Sequence, residues 1–519
     1  MIRGGSRSYS LVPVLFFVVW LAAGAMVAVK KRFWMDELFT WHVVTTPSAA
    51  ACIDAVADQL ESNPPLYFLA AWGFGRVAGT GEVPLRLFSA ATMAAAFALA
   101  YYALKKPFGR RAAALGASLA FGGSTLVWEQ NSEARPYAMY LLAAAALAAA
   151  HAALARRTTA LRFLGAAAAH AAIVHVHALG AAYGLAALVA MILADIGGGR
   201  RRYVAYLAAP LAWATFFWWW KPFLADLDVG KPHSWIAPPA LPALPEAFSN
   251  GVPVALGVAA IAAVGALTWN RRVRNDETAP ADAPADRETD AIESTVRREL
   301  VILGAAFAIL VPLGAFAFSR LSTSIFLDRY FIPGVVGWAA LFAGLAGKLI
   351  EERAGRLPAA MAVGLIGAAA IAPVLAAWRE PDHSTTGALP ATAAAYPDLP
   401  VAFETAHWYL PAFHYEPRPE RFHYILDWDA ALAQGSDLNS SVDFKLLKSL
   451  AARFPQHRVV PSEGFLANHP RFLIIGFSVR RWSEMRVESD PAYRVTNLGQ
   501  FVSLAERLPP AAPTSRESR

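Results

Sequence analysis

The sequence predicts an all-α, multi-span membrane domain followed by a small soluble α/β domain. Of the 519 residues, 56% are hydrophobic and only 16% are charged, and the mean hydropathy is +0.37. A soluble globular protein of this length rarely has such a composition. Apolar runs recur from Leu11 to about Ala377, so the first run is predicted to be an anchor and not a removable secretory signal.

Apolar stretches of about 17 to 25 residues are long enough to cross the hydrocarbon core of a bilayer. About eleven such stretches fall within residues 1–377, which we predict to be the membrane domain. The single cysteine, Cys52, excludes an intrachain disulfide, so packing must stabilise this domain. The predicted spans lie near residues 9–29, 84–104, 112–128, 136–155, 160–178, 179–196, 203–221, 251–269, 299–318, 331–349 and 357–377.

The distribution of Lys and Arg predicts a multi-pass protein of the inner (plasma) membrane with a cytoplasmic N-terminus. Basic residues accumulate in short cytoplasmic loops, and this orientation gives the cytoplasmic segments about twice as many as the external ones. It also places everything after the last span outside the cytoplasm. Lys30, Lys31 and Arg32 are a local exception, because they end the first span on the outer side. We interpret these three cations as a candidate anion contact.

Residues 30–83 form the first predicted external segment. Its apolar run 65–79 is short for a crossing, so we expect an interfacial helix on the outer face. With the stretch before it, the segment is predicted to hold two helices lying along the membrane. Asn63, Pro64 and Pro65 form a predicted hinge between them.

Two further regions differ in composition from the spans. The cytoplasmic loop 271–298 contains an Ala/Pro/Asp stretch with few apolar residues and is predicted to be a disordered spacer. In residues 378–519 charged residues and prolines become frequent, and short β-like runs alternate with a helical pattern, which indicates a small extracytoplasmic α/β domain. Its clearest predicted elements are strands at 400–404, 422–426 and 472–477 and a helix at 443–454.

Asp36 and Glu37 stand just after the first apolar run, where the chain has scarcely left the bilayer. An ionised residue at the centre of a membrane helix costs roughly 2.5–3.5 kcal/mol, so acidic residues near this depth indicate a functional site. The alternative interpretation is an interfacial pair that simply faces water.

The predicted external loops hold few cations, and those few are candidate ligands for an anion. They are Arg135, Lys231, His233 and Arg329, the last beside Tyr330. Each lies where a span begins or where a long external loop folds over. Spans that run inward direct their N-termini at the external face, and the partial positive charge of helix N-termini suits a phosphate.

An external carboxylate, an anion site and a membrane scaffold together suggest glycosyl transfer from a lipid-phosphate donor. Asp36 would accept the proton of an acceptor hydroxyl while cations stabilise the departing phosphate. A single displacement of this kind inverts the anomeric carbon. The sequence contains no Gly-rich phosphate loop or sugar-nucleotide motif, which agrees with a donor carried by lipid.

Four motifs carry a family resemblance, and they occur in order on the predicted external face. They resemble those of the GT-C membrane glycosyltransferases, in particular the bacterial branch similar to dolichyl-phosphate-mannose protein mannosyltransferases and lipid A aminoarabinose transferases. The resemblance covers about residues 9–377. The motifs are Trp34-Met35-Asp36-Glu37, Asn63-Pro64-Pro65-Leu66-Tyr67, Glu133-Ala134-Arg135-Pro136-Tyr137 and Asp328-Arg329-Tyr330.

The resemblance implies a polyprenyl-phosphate sugar donor, with Asp36 as the catalytic base and Glu37 as its acidic neighbour. It also implies that Arg135 and Arg329 contact the donor phosphate. Asn63 stands where the aminoarabinose transferases carry a basic residue, so the resemblance does not favour aminoarabinose as the sugar. Further candidate donor contacts are Glu133, Tyr137 and His177.

Other interpretations of these residues remain open. Arg135 and Glu133 are alternatively a structural ion pair, Arg329 a snorkelling side chain and His177 a packed histidine.

For the whole chain, the alternatives are a transporter or lipid flippase, and a non-catalytic assembly protein that acts through its terminal domain. We expect no cofactor, no metal site and no nucleic-acid partner, although two adjacent carboxylates are able to hold a divalent ion. The acceptor is a protein, a lipid or a polysaccharide.

Overall fold

The computed structural model is mostly helical, with one small sheet near the C-terminus. It begins with α1 (Val12–Ala28), which follows a 3₁₀ turn. The external segment then forms α2 (Met35–Val44), α3 (Ala49–Ala57) and α4 (Leu66–Ala78), three helices where two were predicted. The structure describes residues 9–199, 202–217, 236–245, 248, 287–350, 356–427, 441–476 and 482–509.

Ten further helices build the apolar part of the described chain. α12 is the longest and contains a π-helical turn over Ala306–Leu310. The ten helices are α5 (Glu82–Phe108), α6 (Arg110–Gly122), α7 (Thr125–Gln130), α8 (Tyr137–Arg156), α9 (Ala160–Val176), α10 (Gly180–Gly198), α11 (Tyr203–Phe217), α12 (Arg287–Ala305, continued to Leu321), α13 (Gly334–Ile350) and α14 (Arg356–Arg379).

The predicted count of about eleven spans is not confirmed. Among the described residues, six helices are long and apolar enough to cross a membrane, and three more are apolar but shorter. The predicted span 112–128 is instead the pair α6 and α7, because α6 ends at Gly122 and the Ser124 hydroxyl accepts the Val127 N–H to start a new helix. The predicted span 251–269 lies outside the described residues.

The predicted disordered spacer is partly helical. Residues 271–286 lie outside the described part, but 287–298 belong to α12. Glu293 explains this, because it pairs with Arg156 at 2.8 Å and with Lys106 at 3.0 Å and so ties α12 to α8 and α5. Ion pairs between residues far apart in the sequence cannot be recognised from the local amino-acid composition.

Close helix packing depends on small residues. α6 and α13 touch at Gly116, where a Cβ atom would lie only 2.6 Å from the carbonyl oxygen of Ala339 and the nitrogen of Ala343. A larger residue at this position would force the two backbones apart. Small residues allow such close approach in membrane helices, where burial from water supplies no driving force between spans.

An interhelical network of charged and polar side chains lies inside the helix bundle. His151 hydrogen-bonds His170 at 3.1 Å and Glu299 at 3.1 Å. Arg202 donates to Glu299 at 2.6 Å and to Asp195 at 2.8 Å. All five side chains are buried. The network connects α8, α9, α10 and α12 with the start of α11, and it pairs each acidic group with a cation or an imidazole.

The C-terminal part contains a mixed six-stranded sheet of order β3-β2-β1-β4-β6-β5. The first four strands are parallel, and β6 and β5 join antiparallel. The three predicted strands and the predicted helix are confirmed, whereas β3, β5 and β6 were not predicted. The elements are α15 (Ala391–Ala394), β1 (Val401–Phe403), α16 (Ala406–Tyr415), β2 (Phe422–Ile425), α17 (Ser441–Arg453), β3 (Val459–Val460), α18 (Ser462–Asn468), β4 (Arg471–Ile475), α19 (Trp482–Ser489), β5 (Tyr493–Gly499) and β6 (Val502–Arg507).

The sheet region docks on the external segment through α16 and the turn before β3. The Tyr415 hydroxyl accepts the Phe33 N–H at 2.6 Å and donates to Glu82 at 2.8 Å. The ring nitrogens of His42 and His457 hydrogen-bond at 3.0 Å. Burial lowers the pKa of His42 to about 4 and that of His457 to about 3, so both rings are neutral near pH 7. The terminal region therefore contacts α2 directly.

Candidate active site

Asp36 and Glu37 occupy the first turn of α2, but their side chains have different surroundings. The Trp34 N–H donates to Glu37 at 3.4 Å, so Glu37 caps its own helix. Acidic groups in a first turn are also favoured by the helix dipole. Glu37 is 1% exposed, whereas the Asp36 side chain keeps 16% of its surface accessible. One member of the pair is sealed inside the protein and the other is reachable.

The carboxylate of Glu37 is hydrogen-bonded to a buried arginine that the sequence analysis did not identify. Arg86 lies in the first turns of α5 and donates from Nε to Oε1 of Glu37 at 2.9 Å and from Nη2 to Oε2 at 2.6 Å. The Ala134 N–H donates to Oε1 at 2.8 Å. Such bidentate pairing is the strongest arrangement available to an arginine and a carboxylate.

Arg86 also fixes the chain between α1 and α2. Its guanidinium donates to the carbonyls of Lys31 and, at 2.9 Å, Arg32. A single side chain thus holds the end of the first span, the start of α2 and the start of α5 together. An arginine within an apolar helix indicates a buried pair or a functional site, because such residues are rare in membrane helices and almost always have a partner.

Arg135 forms a second buried clamp on α2. It donates to the Asp36 carbonyl at 2.8 Å, to the Thr40 hydroxyl at 3.0 Å and to the carboxylate of Glu61. Its predicted structural partner was Glu133, but the observed partner is Glu61, which the sequence analysis missed. The Nε of Arg135 is buried and has no hydrogen-bond partner among the described residues.

Arg329 faces the Asp36 side chain from the other side. Its Nη2 lies 3.7 Å from Asp36 Oδ2, too far for a hydrogen bond, and its side chain is 22% exposed. The guanidinium lies over the Tyr137 ring, 5.7 Å from the centroid. We call the six charged side chains gathered here the external cluster: Asp36, Glu37, Glu61, Arg86, Arg135 and Arg329.

Aromatic rings form a wall beside Arg329. Tyr330 lies 4.7 Å from His177 and 6.3 Å from Tyr137, measured between ring centroids. His177 stacks on Tyr140 at 4.8 Å. His177 is thus a packed ring, as one of the two sequence interpretations proposed, yet it adjoins two of the candidate donor contacts.

Comparisons with known proteins show which family and which fold the chain resembles. The family model described as dolichyl-phosphate-mannose-protein mannosyltransferase matches residues 62–220. This range contains Glu133, Arg135 and His177 but neither Asp36 nor Arg329. No curated protein matches the chain.

Two solved structures share the fold over nearly the whole chain. The crystal structure of ArnT from Cupriavidus metallidurans bound to undecaprenyl phosphate is 13% identical, with a TM-score of 0.55, and the alignment covers 97% of this chain and 98% of that one. Its apo state is 14% identical, with a TM-score of 0.54 and coverage of 96% and 97%. The chain therefore has the fold of these two structures, and at this identity the likeness concerns the fold alone.

Glu133 lies next to the external cluster. Its side chain keeps some solvent contact but is surrounded by protein atoms. Burial raises the pKa of Glu133 to about 7, the charges of Glu37 and Asp36 add to the shift, and Arg329 opposes it. Glu133 is therefore about half ionised at neutral pH.

Not every predicted anion ligand takes part in this arrangement. Lys231 and His233 lie outside the described residues. Lys30 instead donates to the carbonyls of Ala377, Trp378 and Glu380 at 3.1, 2.8 and 3.1 Å, so it caps the end of α14. Lys31 pairs with Glu380 at 2.6 Å. These two lysines connect α1 to the end of α14. Their contacts explain why cations follow α1 on its outer side in the predicted orientation.

Within the described part of the chain, no group of three or more His, Cys, Asp or Glu side chains has a geometry that could hold a metal ion. Two acidic groups close to Asp36 are paired with arginines, because Glu37 pairs with Arg86 and Glu61 pairs with Arg135. The arrangement thus leaves a half-buried carboxylate opposite a half-buried arginine. These are the groups needed to accept a proton and to bind an anion.

Proposed function

We propose that this protein is an integral-membrane glycosyltransferase of the GT-C class that moves a sugar from a polyprenyl-phosphate donor to an acceptor hydroxyl on the extracytoplasmic face. The observation that carries the proposal is the unequal environment of the two adjacent carboxylates. Glu37 is buried and accepts two hydrogen bonds from Arg86, while the Asp36 side chain is 16% exposed and lies 3.7 Å from Arg329, which is 22% exposed. The mannosyltransferase family match and the ArnT fold support the same class of reaction.

Asp36 acts as the general base in this proposal. It accepts the proton of the acceptor hydroxyl as the oxygen attacks the anomeric carbon, while the bond from that carbon to the phosphate oxygen breaks. The leaving group departs as polyprenyl phosphate. Because base and leaving group lie on opposite faces of the sugar, the anomeric centre inverts. A positioned base of this kind contributes about 10²–10⁴-fold to the rate.

Arg329 binds the donor phosphate and stabilises the negative charge that develops on it as the bond breaks. Arg329 and Asp36 are 22% and 16% exposed, so both groups are accessible to a substrate. Tyr330, Tyr137 and His177 form the wall on which the donor lies. The undecaprenyl phosphate named in the ArnT structure is the chemical precedent for such a donor.

Glu37 and Arg135 are positioning residues in this proposal. Glu37 holds α2 to Arg86, and Arg135 holds it through the Asp36 carbonyl, Thr40 and Glu61. These two clamps fix the backbone of α2 on both sides of the Asp36 side chain. We thus assign Glu37 a different role from the catalytic one that its adjacency to Asp36 suggested.

The test is transfer of radiolabelled sugar from a panel of polyprenyl-phosphate sugars to membrane acceptors by purified Asp36→Asn protein. We expect transfer to fall about 10²–10⁴-fold, with thermal stability and detergent elution unchanged. Asp54→Asn is the matched control, because Asp54 is an exposed aspartate of the same external segment. Full transfer activity in Asp36→Asn would refute the assignment of the base.

The alternative function, transport or lipid flipping, rests on the interhelical network, since ionisable groups inside a membrane often mark a transport path. In this network the carboxylates already bond to Arg202, His151 or both. Paired charges of this kind stabilise a bundle without binding a substrate. Lipid movement in reconstituted liposomes that persists without any sugar transfer would favour the alternative.

A further inference from the structure

Two histidines form a hydrogen bond between α2 and the sheet region. His42 lies near the C-terminal end of α2, and His457 lies in the turn before β3. Their Nε2 atoms are 3.0 Å apart, and each residue is only 4% exposed. His42 Nδ1 lies 2.7 Å from the Leu38 carbonyl oxygen, and His457 Nδ1 lies 3.3 Å from the Tyr409 hydroxyl. We call these four groups the histidine bridge.

The chemistry of the histidine bridge fixes the direction of each hydrogen bond. A carbonyl oxygen only accepts, so His42 Nδ1 donates to Leu38. Both rings are neutral near pH 7, and a neutral imidazole has one donor and one acceptor nitrogen. His42 Nε2 therefore accepts from His457 Nε2, which leaves His457 Nδ1 to accept from Tyr409. The two histidines thus carry their protons on different nitrogens, Nδ1 in His42 and Nε2 in His457.

Aromatic rings enclose the histidine bridge. Phe413 lies 4.0 Å from the His457 ring, and Phe454 and Trp41 each lie 5.0 Å from the His42 ring, measured between ring centroids. Such surroundings strengthen a hydrogen bond that is made and penalise a polar atom that is left without one. The bridge therefore favours one relative placement of α2 and the sheet region, in which all its hydrogen bonds form.

The histidine bridge and the arginine clamps hold different sides of α2. The clamps engage Glu37 and Thr40, the first through Arg86 and the second through Arg135. With 3.6 residues per turn, His42 lies about 140–160° around the helix axis from these two positions. α2 is thus held on one side by the membrane domain and on the opposite side by the sheet region. These contacts together restrict the tilt and rotation of the helix that begins with the proposed catalytic base.

We propose that His42 and His457 are positioning residues of the transferase, through which the sheet region sets the orientation of α2 and so of the Asp36 carboxylate. Tyr409 supports them by fixing the tautomer of His457. The sheet region then contributes to catalysis without touching the reacting atoms. This inference rests on the proposed function for the role of Asp36, whereas the direction of the hydrogen bonds does not depend on catalysis.

The first experiment measures kcat and the donor KM at pH 7 for full-length protein purified in nanodiscs, per folded molecule. His457→Leu removes both the donor to His42 and the acceptor for Tyr409. His457→Gln retains an amide N–H that is able to donate to His42. The control is His469→Leu, which changes a partly exposed histidine that packs within the sheet region.

We expect kcat of His457→Leu to fall about 10- to 100-fold, because a displacement of about 1 Å at a catalytic group costs up to about 10²-fold in rate. The donor KM should stay at the wild-type value, since Arg329 and not α2 binds the donor phosphate in our proposal. His457→Gln should recover most of the lost kcat, and the His469→Leu control should match wild type. Wild-type kcat in folded His457→Leu, or equal kcat in the Leu and Gln variants, would overturn the proposal.

The second experiment determines the two tautomers by solid-state NMR of protein containing ¹⁵N-labelled histidine, and it needs no turnover. We expect the proton of His42 on Nδ1 and that of His457 on Nε2, each assigned by the signal that disappears in His42→Gln or His457→Gln. The same tautomer in both rings would refute the histidine bridge. Full transfer by Asp36→Asn would instead refute the proposed base and leave both tautomers unchanged, so the two failures are distinguishable.

Discussion

The external cluster and the interhelical network are both rich in buried charge, yet they differ in how accessible that charge is. In the interhelical network Asp195 and Glu299 bond to Arg202, His151 also bonds to Glu299, and these side chains are all buried. In the external cluster Glu37 and Glu61 are paired and buried in the same way, but Asp36 and Arg329 lie 3.7 Å apart and are 16% and 22% exposed. A charged group that is partly exposed is accessible to a substrate, and a buried one is not. The comparison therefore locates the proposed active site at the charged groups that remain partly exposed.

The comparison is tested most severely by Arg86→Met, which leaves Glu37 buried without its cation. Removing one partner of a buried pair costs about 3–5 kcal/mol. We expect a large loss of thermal stability, measured by differential scanning fluorimetry in detergent, together with a loss of transfer. Arg494→Met, at an exposed pair with Glu506, is the control and should change stability by less than about 1 kcal/mol.

Glu299→Gln tests the other half of the comparison. The amide keeps the shape of the side chain but removes the charge that Arg202 and His151 face, and we expect about 2–3 kcal/mol of lost stability. Transfer per folded molecule should remain at the wild-type value because the network touches no substrate in our proposal. A reduced kcat in correctly folded protein would show that the network also serves the reaction.

Arg329→Gln should affect activity more than stability. Because the Arg329 side chain is 22% exposed, whereas that of Arg86 is 1% exposed, its removal is expected to lower stability less than the removal of Arg86 does. Loss of its contact with the donor phosphate should lower kcat/KM about 10- to 100-fold, which corresponds to about 1.4–2.7 kcal/mol. Arg329→Lys should recover part of this loss, since the charge remains while the planar fork is lost.

The smallest expected effect is a pH dependence set by Glu133. Its pKa is raised to about 7, so the carboxyl is mostly neutral below that pH and mostly ionised above it. Ionisation adds a negative charge beside the donor phosphate, so we expect the donor KM to rise as the pH increases through 7. In Glu133→Gln the KM should no longer rise through this range. A wild-type KM that stays constant from pH 6 to pH 8 would contradict the assignment.

Much of the fold and part of the site could be predicted from sequence. Hydropathy identified most apolar helices, and the external motifs correctly indicated that Asp36, Arg135 and Arg329 would come together. The partners Arg86 and Glu61 were missed because each meets its counterpart 49 or 74 residues away in the chain. Local patterns do not encode such pairings. The break between α6 and α7 was also missed, because two glycines in an apolar run hardly alter its hydropathy.

Lys30 donates to carbonyls at the end of α14, which the ribosome makes about 347 residues later. While the nascent chain is being inserted, the cations that follow α1 therefore oppose its predicted orientation without compensation. Their acceptors are made only when α14, the last of the described candidate spans, has been synthesised. We therefore expect the first helix to gain its final anchoring late in assembly, after α14 has been inserted.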